Sequence, residues 1–73
     1  MIQVGLHDRV DERTAILKVT WTDPTSSNLL HAFVRVLADL DDVNKEEPIA
    51  PPHIRLRALD AARELAERFH AAI

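Results

Sequence analysis

Chemistry in this 73-residue chain has to pass through four histidines, twelve carboxylates, seven arginines and a handful of hydroxyls. Asp39, Asp41 and Asp42, followed by Glu46 and Glu47, form the densest group of oxygen ligands, of the kind a hard cation such as calcium takes up on a loop. The EF-hand spacing is absent, no glycine provides the sharp turn, and Pro48 intrudes. The cluster therefore reads as a solvated acidic surface, and as a docking patch for a basic protein before a metal site. His7, His31, His53 and His70 share no metal-ligand spacing and form no HExxH pair, so they read as surface or boundary residues. Ser26 and Ser27 fall where a helix is expected to start, and capping accounts for them without a base or a nucleophile elbow. The one glycine cannot build a phosphate-cradling loop, and the absence of cysteine removes disulfides, thiolate zinc sites and a thiol nucleophile together. No catalytic residue, cofactor or metal is expected, and the chain reads as a non-enzyme.

What remains is side chains suited to touching another protein. Arg55 and Arg57 stand in the first turn of an expected helix, where positive charge opposes the helix dipole. Leu56 between them is a lone apolar residue on a polar side, which suits the centre of a small contact patch. Trp21, the sole tryptophan, ends the apolar face of an expected strand. There it packs on a helix and, if half-exposed, serves as an interface anchor. The candidate partner-binding set is thus Trp21, Asp41, Asp42, Glu46, Glu47, Arg55, Leu56 and Arg57.

The elements that must position these residues follow from a change of period. Residues 2–7 alternate through Ile2, Val4 and Leu6, and residues 14–22 through Ala15, Leu17, Val19 and Trp21, which predicts two strands joined by a polar loop as an antiparallel hairpin. Gly5 reads as a weakened strand position. Asp23-Pro24-Thr25-Ser26-Ser27-Asn28 reads as a strand stop and a helix start. Leu29, Leu30, Phe33, Val34, Val36, Leu37 and Leu40 then form one stripe on a helical wheel, with His31, Arg35, Asp39 and Asp42 opposite, which predicts a helix over about 26–43. A proline-rich linker, 44–51, leads to a second helix over about 52–73 with the stripe Ile54, Ala58, Ala61, Ala62, Leu65, Phe69, Ala72 and Ile73. His53 to Arg57 also alternate with period two, but proline just before them favours helix.

The fold expected is α+β: a two-layer, single-domain ββαα arrangement over 1–73, with an N-terminal two-stranded hairpin packed by two C-terminal amphipathic helices. So short a chain buries only about 60% of its unfolded surface, and a two-stranded sheet is marginal alone. A homodimer, or a monomer that completes itself on a partner, is therefore expected. With twelve acids against nine bases the net charge is −3, which disfavours nucleic acid. No signal-peptide pattern or membrane-spanning apolar run is visible, so a cytoplasmic location is expected.

The functional expectation is a small protein-interaction module: an adaptor, inhibitor or regulator acting on a larger protein, of a type common among phage and mobile-element products. The alternative comes from a resemblance. The order strand–helix–helix over 16–73 resembles the ribbon-helix-helix repressors, small dimeric transcriptional regulators. That resemblance implies that the outward residues Lys18, Thr20 and Thr22 read the major groove of DNA.

Overall fold

A computed structural model, which describes residues 1–43 and 50–73, places three strands and one helix in the order β1 (Ile2–Arg9), β2 (Thr14–Thr22), β3 (Leu29–Leu37) and α1 (Pro52–Ala72). The strands form an antiparallel meander in the order β1-β2-β3. Opposed residues share a face, so the registers Val4↔Val19↔Ala32 and Leu6↔Leu17↔Val34 define inner rows across the sheet. The core sits between this inner face and α1, where Val4, Ala15, Leu17, Val19, Val34, Val36, Ile54 and Ala58 are buried. Among the described residues only Leu17 and Ile54 are both large and fully buried.

The main correction to the sequence reading lies at Leu29–Leu37, which is the third strand and not the first helix. The ββαα arrangement gives way to a three-stranded sheet with one helix on its inner face. The segment is apolar on one face and mixed on the other, where Leu29, Phe33 and Leu37 stand among His31 and Arg35, so it satisfies either period. Leu30, Ala32, Val34 and Val36 point inward while Leu29, His31, Phe33, Arg35 and Leu37 point outward. What decides between them is tertiary. The free edge of β2 offers a full ladder to a neighbour, and Phe33, Val34 and Val36 are types that suit a pleated surface. Leu37, assigned to a buried helical stripe by its spacing, is 67% exposed on the outer face. The loss of that helix also removes the strand–helix–helix order on which the ribbon-helix-helix resemblance rested. Arg35 and Asp39, spaced for a helical ion pair, lie on a strand and in the loop after it.

The segment 23–28, read as a helix cap, is a hairpin turn. The Asp23 N–H donates to the Asn28 carbonyl and the Ser27 N–H to the Asp23 carbonyl, each at 2.9 Å. Asp23 Oδ2 accepts from the Ser26 hydroxyl at 2.6 Å and Oδ1 from the Thr25 N–H at 3.1 Å. These are the local bonds with which Asp and Ser build turns as readily as caps. Ser27 takes the left-handed conformation, φ 62°, which closes the turn. In β1, Gly5 pairs regularly with Lys18, and the ladder slips at His7, between Leu6 and Asp8.

From β3 the chain crosses the end of the sheet. Arg9 ties that crossing down: its Nη1 donates to the carbonyls of Ala38 (2.7 Å) and Asp11 (3.2 Å), and its Nη2 to those of Asp39 (3.3 Å) and Val43 (3.4 Å). At the far side the Ala50 N–H donates to the Val4 carbonyl at 3.1 Å, on the open edge of β1. Pro51 takes the N-cap position without a side-chain cap, and Pro52 opens the helix, where its missing N–H is no loss.

Candidate interaction surface

α1 keeps one apolar stripe along its 21 residues, yet the sheet covers only the first half of it. Ile54 and Ala58 are fully buried, Ala61 and Ala62 are half-buried, and from Arg63 onward every residue is exposed. Leu65 is 44% and Phe69 62% exposed, although both continue the side of the helix that carries Ile54 and Ala58. The helix is about 31 Å long and leans chiefly on β3, so its second half stands clear of its own sheet.

The inner face of the sheet is bare at one end in the same way. The row Ile2↔Trp21↔Leu30 points to the helix side. Its members are nevertheless 43%, 42% and 54% exposed. The next rows inward are covered by α1. Trp21 thus sits on the apolar face its spacing implies and remains available to another molecule.

The outer face has a different character. Lys18 lies opposite both Gly5 and Phe33, and Thr20 opposite His31, with Thr20 Oγ1 and His31 Nδ1 3.1 Å apart. The rings of Phe33 and His7 meet edge to face, with centroids 4.6 Å apart. Lys18 and Arg35 are exposed here.

The structure separates the residues of the expected arginine patch. Arg57 Nη1 donates to the Leu37 carbonyl at 2.7 Å and lines an open hollow of about 350 Å³ with Arg13, Leu37, Ala38 and Asp39. Arg55 faces another hollow, of about 540 Å³, along β1 with Gly5, Lys18 and Thr20. Leu56 is exposed between them. Asp41 is exposed, while Asp42 is half-buried with Oδ1 3.5 Å from His53 Nε2. Glu46 and Glu47 lie outside the described residues. Among the described residues no three potential ligands converge as a metal site.

Two carboxylates are shifted by local bonds. The Asp23 carboxyl is held below its ordinary value of 3.8 by the Ser26 hydroxyl and then the Thr25 N–H. Asp11 is lowered first by the Arg13 N–H, which donates to its Oδ1 at 2.8 Å. Both serve loop closure, one at each hairpin.

Sequence reasoning missed Leu30, Leu65 and Phe69 as surface because a helical reading puts all three in a core. The signal that could have exposed Leu30 is the period-two set Leu30, Ala32, Val34, Val36.

The architecture defines a small α+β domain, a three-stranded antiparallel meander carrying one C-terminal helix, with an apolar surface split between the overhanging half of the helix and the bare end of the sheet. No family model, no curated protein and no solved structure matches the chain. No helix among the described residues is long and apolar enough to cross a membrane.

Proposed function

We propose that the protein is a non-enzymatic interaction module, an adaptor, inhibitor or regulator that works by docking on other protein surface, and that it acts as a homodimer. The observation that carries this reading is the amount of apolar surface left open. The chain exposes 5585 Å². A compact monomer of its 8.2 kDa mass exposes about 4,500 Å² by the usual size scaling. The difference, about 1,100 Å² of polar and apolar surface together, is somewhat more than the ~800 Å² that one partner contributes to a standard protein–protein interface. The open surface includes large apolar side chains, Trp21, Leu30, Leu65 and Phe69, and anchors of the Trp21 kind carry much of the affinity of interfaces.

The test is affinity capture of the tagged protein from a nuclease-treated lysate of its host, followed by mass spectrometry. A stoichiometric protein lost on mutating Arg55, Leu56 and Arg57 to alanine supports the module and places its outward contact at the start of α1. Recovery of nothing but nucleic acid, when nuclease is left out, overturns it.

A further inference from the structure

The open apolar surface has two parts at opposite ends of β3, and their placement indicates what fits them. α1 begins beside the middle of β1, where Ala50 is bonded to Val4. By Arg57 it has reached the C-terminal end of β3, where the guanidinium meets the Leu37 carbonyl. The helix therefore crosses the sheet diagonally and leaves it past that end, carrying Leu65 and Phe69 beyond the chain's own core. The bare row Ile2–Trp21–Leu30 lies at the other end, beside the N-terminus of β3. β3 itself is an edge strand, paired among the described residues with β2 alone. It runs nine residues without proline; Arg35 on its outer face and the Arg57 guanidinium on the Leu37 carbonyl guard it in part, and the stretch around Phe33 is left to pair.

We propose that a second copy of the chain occupies this surface. The two β3 strands pair antiparallel about a two-fold axis near Phe33, the middle residue, and join two three-stranded sheets into one continuous sheet. Antiparallel pairing sets the C-terminal end of one β3 beside the N-terminal end of the other. Each α1 then extends over the bare row of its neighbour, so that Leu65 and Phe69 cover Leu30 and Trp21 of the partner subunit. One symmetric contact thus pairs the free edge, covers the overhanging half-helix and closes the open end of the inner face, as an isologous interface requires. Its expected size is that of the excess surface, about 1,100 Å² per chain against the 5585 Å² exposed. The inference rests on the interaction-module reading and names the occupant of its apolar surface.

Two measurements test it. Sedimentation at micromolar concentration gives twice the 8.2 kDa chain mass, and Leu65→Glu with Phe69→Glu lowers it to one. Should that variant unfold, cross-linking decides. The chain has no cysteine, so Leu30→Cys with Phe69→Cys places thiols at opposite ends of one chain but together across the dimer. Mild oxidation then yields covalent dimer, whereas either single change yields little. A wild-type monomer, or a dimer that the paired thiols fail to cross-link, overturns the proposal. A monomer that still captures a stoichiometric partner leaves the interaction-module reading standing. A cross-linked dimer that captures no other protein removes the adaptor role and keeps the two-fold.

Discussion

Arg9 is the residue on which the path between sheet and helix depends. Its planar fork reaches carbonyls of Asp11, Ala38, Asp39 and Val43 at once, a geometry that a lysine ammonium cannot reproduce. Arg9→Ala strands the carbonyl of the buried Ala38 and is expected to cost about 2–3 kcal/mol. Arg9→Lys recovers less than half of that loss, as chemical denaturation would measure. Asp23 sets a pH dependence of known sign. Its folded-state value is lowered by the Ser26 hydroxyl and the Thr25 N–H, so its contribution is complete above the unfolded value and fades as pH falls through the folded one. Thermal melts from pH 6 to 2.5 should show wild-type stability falling below the ordinary carboxylate value of 3.8. Asp23→Asn, less stable at neutral pH, loses less over the same interval.

At the scale of elements, β3 makes the sharpest test. A helix over 26–43 buries Leu37 and Val34 together, whereas the strand buries Val34 and turns Leu37 to solvent. Val34→Asp is therefore expected to unfold the domain, because an unpartnered carboxylate enters the core. Leu37→Asp shifts stability by less than about 1 kcal/mol, and circular dichroism melts of the two variants separate the two architectures. The strands at the N-terminus and the C-terminal helix were legible in local pattern. Leu17, Val19 and Trp21 alternate with the polar Lys18, Thr20 and Thr22, and Ile54, Ala58, Ala62 and Leu65 return every three or four residues after a proline. Leu29–Leu37 was not legible, because Leu29, Leu30, Phe33, Val34, Val36 and Leu37 are apolar in either period. Asp23 and Ser26 are equally at home in a cap and in a turn.

For the whole molecule, the core of one chain is small, with Leu17 and Ile54 the only large and fully buried side chains among the described residues. If a second copy supplies the missing cover, folding and association are linked, and the melting temperature rises with protein concentration. A hundredfold concentration range should move it by several degrees, and Leu65→Glu with Phe69→Glu should abolish the dependence. A concentration-independent melt of the wild-type chain counts against the two-fold.

The candidate surface was partly readable before the fold. Trp21 was marked by being a lone aromatic at the end of an apolar face. Arg55, Leu56 and Arg57 were marked by charge out of place in a first helical turn, though the structure sends the two arginines to different sides of α1. Leu65 and Phe69 were invisible as surface, since a stripe records which side of a helix is apolar and not how far its sheet extends beneath it. By itself the sequence determined the period of each strongly patterned segment, the position of its breaks and the side on which apolar residues gather. Those are local properties, set by backbone geometry and side-chain type within a few residues. Only the tertiary structure decided that 29–37 extends as a strand, because the free edge of β2 that pairs with it is brought there by a turn. It alone decided which half of α1 is buried, because burial depends on what a distant part of the chain places opposite.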